Sequence, residues 1–140
     1  MLNSTSFSLG FSAARQEYQM TNILIIEDDP EAAHILELSL RREGYKVSIA
    51  MDGTQGLTAI QTQRPDLVLL DLMMPDIDGF EVCRRVRSNP ATVNLPIIVV
   101  SARTHDADKK MANQVGANGY LTKPYRRAEL LALIQARLRQ

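Results

Sequence analysis

The chain has 140 residues, 45% of them apolar, which is enough for one domain with a buried core and too few for two domains of ordinary size. Sixteen basic residues balance sixteen acidic ones, so the charge gives no indication of a surface for nucleic acid or membranes, and we predict no direct binding to either. A single cysteine, Cys83, excludes an internal disulfide and a cysteine-rich metal site, and no apolar run is long enough to span a bilayer, which favours a reducing, cytoplasmic location.

The first twenty residues, MLNSTSFSLGFSAARQEYQM, differ from the rest in being rich in serine and poor in aliphatic side chains. They do not resemble a secretory signal, because the nearest basic residue, Arg15, follows the apolar positions instead of preceding them. We predict that residues 1–20 are an N-terminal extension, either a tail or a short helix over residues 12–19, and that one domain covers residues 21–140. An upstream start codon ahead of Met20 and a segment that contacts a partner remain open alternatives.

From residue 21 onward, short apolar runs alternate with amphipathic stretches, which predicts five strands, each followed by a helix. The predicted strands are NILII (22–26), YKVSIA (45–50), DLVLL (66–70), PIIVV (96–100) and GYLT (119–122). The predicted helices cover residues 30–44, 53–64, 79–88, 106–116 and 126–140. Strands one, three and four are apolar on both faces, which is typical of parallel strands covered by helices on either side. The fold class is therefore α/β, a doubly wound five-stranded parallel sheet, for which strand order 2-1-3-4-5 is common.

Charged and hydroxyl side chains follow four of the predicted strands. Glu27 and Asp28 come after strand one, Asp71 after strand three, Ser101 after strand four and Lys123 after strand five. Ligands of such sheets gather at the carboxyl ends of the strands, so we expect these side chains to share one cleft. Converging carboxylates repel one another unless a cation joins them, and a few oxygen ligands with room for water suit Mg²⁺. A nucleophilic carboxylate, a magnesium site, a lysine and a hydroxyl are the parts that phosphoryl transfer requires.

Four motifs, LIIEDDP, LVLLDLMMPDIDGFEV, IIVVSA and GANGYLTKPY, occur in this order, and with them residues 21–140 resemble the receiver domain of bacterial response regulators. The resemblance implies a flavodoxin-like fold and a role in two-component signal transduction. It implies that Asp71 accepts a phosphoryl group from a phosphohistidine on a sensor histidine kinase or a histidine phosphotransfer protein. It also implies that the protein is not an enzyme beyond its own Mg²⁺-dependent phosphorylation and dephosphorylation.

The resemblance assigns a metal site to the acidic residues after strands one and three. It implies that Asp28 and Asp71 bind Mg²⁺ directly, that Glu27 does so through water, and that the backbone carbonyl of Met73 is a further protein ligand. These residues and Mg²⁺ form the metal site predicted from the sequence.

The resemblance also implies a switch that carries the phosphorylation state to the surface. Ser101 and Lys123 would contact the phosphoryl oxygens, and Tyr120 would turn inward together with Ser101. The surface that changes would be helix four, strand five and helix five, used by a downstream effector protein or by a homodimer. Gly119 departs from this pattern, because receivers that dimerise through this surface usually have an aspartate there. The Lys123–Pro124 peptide bond is expected to be cis.

Some of the acidic residues have alternative roles. Asp29 and Asp78 are predicted to cap the first and third helices. The sequence Asp76-Ile-Asp-Gly resembles the nucleophile motif of haloacid-dehalogenase-like phosphatases, but that motif should follow directly on a strand. A degenerate receiver that only binds partners is the second alternative, although none of the functional residues is missing. We assign no chemistry to Cys83 or to the two histidines, His34 and His105.

Two positions flank the path by which water would attack a phosphorylated Asp71. Met73 is apolar and offers no hydrogen bond to orient water, while Arg103 is long and cationic and can cover the phosphoryl group. This pair predicts a comparatively long-lived phosphoryl group. The sequence leaves open the cognate kinase, the output, and whether these 140 residues act alone or within a longer protein.

Overall fold

Five parallel strands form one sheet of order β2-β1-β3-β4-β5 in the computed structural model, which describes residues 21–139. The strands are β1 (Asn22–Ile26), β2 (Lys46–Ala50), β3 (Leu67–Leu70), β4 (Ile97–Ser101) and β5 (Gly119–Thr122). The helices are α1 (Pro30–Arg42), α2 (Gly53–Gln63), α3 (Gly79–Ser88), α4 (Asp106–Gln114) and α5 (Arg127–Leu138). The predicted fold class and strand order are confirmed, with differences only at the ends of elements, such as β4 continuing through Ser101. The predicted extension, residues 1–20, lies outside the described residues.

Alternate side chains of the central strands enter two separate cores. Ile23 and Ile25 of β1 pack with α1 and α5 on one face of the sheet, and Leu24 and Ile26 pack with α2 and α3 on the other. Burying an aliphatic side chain of this size contributes roughly 1.5–3 kcal/mol, so this double burial holds β1 firmly at the centre of the sheet. No helix within residues 21–139 is long and apolar enough to cross a membrane.

The register between β1 and β3 positions the acidic residues that follow them. Ile26 pairs with Leu70, and the backbone N–H of Asp71 donates to the Ile26 carbonyl at 3.0 Å. The N–H of Glu27 donates to the Ala50 carbonyl of β2, also at 3.0 Å. Glu27 and Asp71 therefore lie at the same level of neighbouring strands, directly beyond the last buried aliphatic residues.

Three helices begin directly after an aspartate, α1 after Asp29, α2 after Asp52 and α3 after Asp78, and capping by Asp29 and Asp78 was predicted. The Asp29 side chain accepts the N–H of Glu31 at the start of α1 at 3.1 Å, and the Asp78 side chain accepts the N–H of Glu81 at the start of α3 at 2.9 Å. Such caps satisfy amide groups that have no partner within the helix. Both predicted capping roles are confirmed, and the two caps hold the loops that follow β1 and β3 to the helices beyond them.

Gly79 is the point at which α3 meets the backbone of the loop after β3. Its N–H donates to the Leu72 carbonyl at 3.0 Å. A Cβ atom on residue 79 would lie 2.7 Å from the Asp71 carbonyl oxygen and 2.8 Å from the Leu72 Cα. Those contacts are with backbone atoms, which cannot move aside as a flexible side chain can, so only glycine allows α3 to begin this close to Asp71.

Candidate functional site

Three carboxylates meet at the carboxyl ends of β1 and β3. Glu27, Asp28 and Asp71 each offer one oxygen atom, and these atoms lie within 4.8 Å of one another. Glu27 and Asp71 are 2% and 9% exposed, whereas Asp28 faces solvent. The cluster is thus buried on one side and open on the other. The structure brings the predicted acidic residues together, as the sequence led us to expect.

Lys123, the residue after β5, reaches into this cluster. Its Nζ lies 2.5 Å from Glu27 Oε1 and 3.3 Å from Asp71 Oδ2. Burial by itself would lower the pKa of the Lys123 ammonium, but the hydrogen bond to Glu27 and the charge of Asp71 outweigh burial and raise it. The lysine is therefore charged and joins the two buried carboxylates. The cis Lys123–Pro124 peptide bond, predicted from the sequence, is present.

One ammonium does not offset the charge of the whole cluster. Burial raises the pKa of Glu27, the Lys123 hydrogen bond lowers it and the charge of Asp71 raises it, and the net result is a shift from the ordinary 4.5 to about 7. The second oxygen of Glu27, Oε2, accepts the backbone N–H of Asp29 at 3.2 Å. The cluster consequently has a deficit of positive charge, lined by oxygen atoms and open to water at Asp28. Those features fit Mg²⁺, a hard dication that prefers a few carboxylate oxygens and keeps some of its waters.

Met73 lies in the loop just beyond Asp71. Its backbone N–H donates to Asp71 Oδ1 at 3.1 Å, while its side chain is 54% exposed. One oxygen of Asp71 is thus held by the loop and the other by Lys123, so the carboxylate has a defined orientation. The use of the Met73 carbonyl as a metal ligand stays a prediction.

Ser101 and Tyr120 are connected through the backbone of Arg103. Ser101, at the end of β4, is fully buried, and its Oγ accepts the N–H of Arg103 at 3.2 Å. The Tyr120 hydroxyl donates to the Arg103 carbonyl at 2.9 Å. The Tyr120 ring packs against a small core that includes Val99, and the Lys109 Nζ lies 5.9 Å from the ring centre. The two predicted switch residues therefore both contact the backbone of Arg103.

The guanidinium of Arg103 has a partner that the sequence analysis missed. Its Nη1 lies 3.3 Å from Oδ1 of Asp108 in the first turn of α4. The predicted shielding of a phosphoryl group by Arg103 consequently requires this side chain to change partner. The sequence offered only one indication of this pair, an acidic residue near the start of a helix and five positions after the arginine. That spacing differs from the three or four positions that bring side chains together on a helix, so it did not identify the pair.

Asp76, the residue on which the phosphatase alternative depended, contacts α2 instead of the acidic cluster. Its carboxylate accepts the backbone N–H groups of Gly53 and Thr54 at 3.0 and 2.8 Å, together with the Thr54 hydroxyl at 2.5 Å. The Thr54 hydroxyl is the largest of the effects that hold the pKa of Asp76 well below its usual range. The N-cap of α2 is Asp52, whose side chain accepts the N–H of Gln55 at 2.7 Å. Asp76 thus acts as a second cap for α2 and connects the loop after β3 to that helix.

Cys83 is fully buried in α3, and burial raises the pKa of its thiol to about 11. A thiol in such surroundings is unreactive, which agrees with the prediction that it has no chemical role.

Comparison with known proteins gives consistent matches over almost all the described residues. The family model of the response regulator receiver domain matches residues 23–135. The transcriptional regulatory protein AfsQ1 of Streptomyces coelicolor is 47% identical over 121 residues, which are 86% of this chain and 52% of the relative. The DNA-binding response regulator MtrA of Mycolicibacterium smegmatis is 42% identical over 118 residues, 84% of this chain and 50% of the relative.

A solved structure similar to this chain in fold contains a bound metal ion. The receiver domain of the sensor histidine kinase PA1611 from Pseudomonas aeruginosa PAO1 is 34% identical, has a TM-score of 0.80, and matches 86% of this chain and 98% of its own. That structure contains a magnesium ion coordinated in its active site cleft.

The relatives correct one prediction. The chain spans about half the length of the curated relatives it matches, and these are named as transcriptional or DNA-binding regulators. The prediction of no direct nucleic-acid binding is therefore wrong for full-length proteins of this kind. The charge balance of 140 residues describes only the surface of those residues, so it gave no information about DNA binding by a longer protein.

Proposed function

This chain belongs to the response regulator receiver domain family of two-component signal transduction, and from that premise we propose that Asp71 is its phosphoacceptor. A carboxylate oxygen of Asp71 attacks the phosphorus of a phosphohistidine, the new O–P bond forms as the P–N bond breaks, and the imidazole leaves with the electron pair. The donor is a sensor histidine kinase or a histidine phosphotransfer protein. The observation that carries the proposal is the contact of one charged lysine, Lys123, with both buried carboxylates of the cleft.

The residues around Asp71 have different roles in the phosphoryl transfer. The Met73 N–H and the Lys123 ammonium orient the nucleophile, and the ammonium also stabilises negative charge on the phosphoryl oxygens. Asp28 and Asp71 would hold Mg²⁺ directly, with the Met73 carbonyl as a further ligand and Glu27 acting through water. When bound, the metal supplies positive charge to the phosphoryl oxygens.

We further propose that phosphorylation is transmitted through Ser101 and Tyr120 to the surface of α4, β5 and α5. The supporting contacts are those of both residues with the backbone of Arg103, because a hydroxyl drawn toward a phosphoryl oxygen would release that loop. The partner at this surface is a downstream effector or a second copy of the domain. AfsQ1 and MtrA suggest that the output, in a protein containing this domain, is control of DNA binding.

We propose that the only reactions of this domain are its own phosphorylation and dephosphorylation. The contacts of Asp76 with α2 support this, because they leave the phosphatase-like motif without a carboxylate in the cleft. A phosphatase would hydrolyse added phosphomonoesters catalytically, and measurement of released phosphate tests for that activity. The cytoplasmic location inferred from the single cysteine stays a prediction.

Asp71→Asn tests the proposal, because it keeps the side-chain volume and removes the nucleophilic oxygen. The variant should not be labelled by acetyl phosphate or by a phosphorylated kinase in Mg²⁺ buffer. Asp78→Asn is the matched control: it changes a capping carboxylate of the next helix and should leave labelling intact. Mass spectrometry should locate the adduct on Asp71 of the native chain. An adduct on Asp76 or Asp78 would contradict the assignment.

A further inference from the structure

Arg103 is held by three contacts in the loop between β4 and α4. Its N–H donates to the Ser101 hydroxyl at 3.2 Å, and its carbonyl accepts the Tyr120 hydroxyl at 2.9 Å. Its guanidinium lies 3.3 Å from Asp108. The first two contacts fix the backbone beside the buried hydroxyl, while the third sets the direction of the side chain.

The ion pair with Asp108 is the contact most easily exchanged. The Arg103 side chain is 40% exposed and the Asp108 side chain 20% exposed. Ion pairs this accessible to water contribute little, because solvent screens them and both side chains lose freedom to form them. The guanidinium can therefore leave Asp108 without any movement of β4.

A stronger partner would appear beside Arg103 once Asp71 is phosphorylated. β4 pairs with β3 through Val99 and Leu70, so the Ser101 hydroxyl and the Arg103 backbone lie at the same sheet edge as Asp71. A phosphoryl group carries up to two negative charges and accepts two parallel hydrogen bonds from a guanidinium, whereas Asp108 carries one charge.

The surroundings of the Tyr120 hydroxyl support the closeness of these groups. Burial is the main cause of the raised pKa of this phenol; the hydrogen bond with the Ser101 side chain and the charge of Arg103 lower the pKa, while the charges of Asp108 and Asp71 raise it. Three charged groups from β3, the β4–α4 loop and α4 thus act on one hydroxyl. Lys109, over the ring of Tyr120, is a further cation on the same helix.

We propose that Asp108 is a positioning residue that sets how long Asp71 keeps its phosphoryl group, by competing with the phosphoryl oxygens for the guanidinium of Arg103. This inference rests on the proposed function of Asp71. Arg103 bound to Asp108 leaves the phosphoryl group open to water, and Arg103 bound to the phosphoryl oxygens covers it. Removal of the Asp108 charge favours the covered arrangement.

The test measures loss of the phosphoryl group in variants of the whole chain. The protein is labelled with acetyl phosphate in Mg²⁺ buffer, the donor is removed, and the adduct on Asp71 is followed by intact mass. Asp108→Asn should slow the loss about two- to fivefold, the range expected from releasing an accessible ion pair. Asp108→Glu keeps the carboxylate and should restore a rate close to that of the native chain. Asp106→Asn removes an equal charge from the same turn of α4 and should have no such effect.

A double variant separates this mechanism from a general effect of charge. In an Arg103→Ala background, Asp108→Asn should no longer slow the loss, because no guanidinium is left to be released. Equal or faster loss in Asp108→Asn alone, or slowing that persists without Arg103, would overturn the role of Asp108. Failure of the native chain to form an adduct on Asp71 would instead overturn the proposed function and this inference with it.

Discussion

Replacement of Glu27 by glutamine should remove a pH dependence of stability that the native chain shows when divalent metal is absent. Glu27 is almost completely buried, and burial raises its pKa from 4.5 to about 7. Glutamine has nearly the same shape but does not ionise. The difference between the two proteins therefore isolates the cost of the buried carboxylate.

The sign and size follow from linkage between protonation and folding. The folded chain binds the Glu27 proton up to about pH 7, whereas the unfolded chain releases it near pH 4.5, so the folded state holds more protons between these values. The stability contributed by this proton is fully present below about pH 4.5 and is lost as the pH rises through about 7. With 1.36 kcal/mol for each pH unit, the loss amounts to about 3 kcal/mol.

Urea unfolding in EDTA, followed by far-UV circular dichroism, measures this difference across the pH window. Circular dichroism is suitable because the chain has no tryptophan to report unfolding. The free energy of unfolding of the native chain should decline by about 3 kcal/mol relative to Glu27→Gln on going from about pH 4.5 to above about pH 7. Glu31→Gln, which removes an exposed carboxylate outside the cleft, is the matched control.

If the free energies of unfolding of the native chain and of Glu27→Gln changed in parallel with pH, the reasoning would be refuted. If instead the native chain gained stability relative to Glu27→Gln as the pH rose, Lys123 would stabilise the ionised form of Glu27 more than burial destabilises it. Either result would mean that the apo cleft has no deficit of positive charge.

Three further predictions concern the metal, the switch and the lifetime of the phosphoryl group. Asp28→Ala should weaken Mg²⁺ binding, measured by calorimetry, more than Glu27→Ala does, because only Asp28 of the two is proposed as a direct ligand; equal losses would count against that assignment. Ser101→Ala should still be phosphorylated but should no longer change its affinity for a partner, and a partner affinity that still responds to phosphorylation would contradict the switch. The double variant Met73→Asn with Arg103→Glu should lose its phosphoryl group several-fold faster than the native chain in Mg²⁺ buffer, while an equal or slower rate would show that these side chains do not control access of water.

The backbone elements and the main charged residues of the cleft were predictable because topology decides them. In a parallel doubly wound sheet, the residue after each strand arrives at the same edge whatever its side chain is. Apolar periodicity located β1, β3 and β5, so the convergence of Glu27, Asp71 and Lys123 followed from counting one residue beyond each strand. No side-chain geometry was needed for that step.

Partner choice among side chains was not predictable in the same way. Arg103 contacts Asp108, although the sequence suggested the cleft for it, and Asp76 contacts the start of α2, a contact that the sequence did not indicate. Competing partners of an exposed charge differ by only about 0.2–1 kcal/mol, so local backbone geometry decides between them. That geometry depends on where α2 and α4 begin, and element ends are the least certain part of any sequence pattern.

The charge of the cleft supports the proposal that both the lysine and a metal take part in phosphoryl transfer. Fully ionised, Glu27, Asp28 and Asp71 carry three negative charges, and Lys123 offsets one of them. Transfer of a phosphoryl group to Asp71 adds further negative charge at the same place, which would repel the incoming group unless a dication balanced it. Lys123 contacts both buried carboxylates, and the raised pKa of Glu27 indicates that this one ammonium does not offset the negative charge of the cleft. We therefore expect a dication to supply the remaining positive charge during phosphoryl transfer, and removal of Mg²⁺ with EDTA should stop labelling of Asp71.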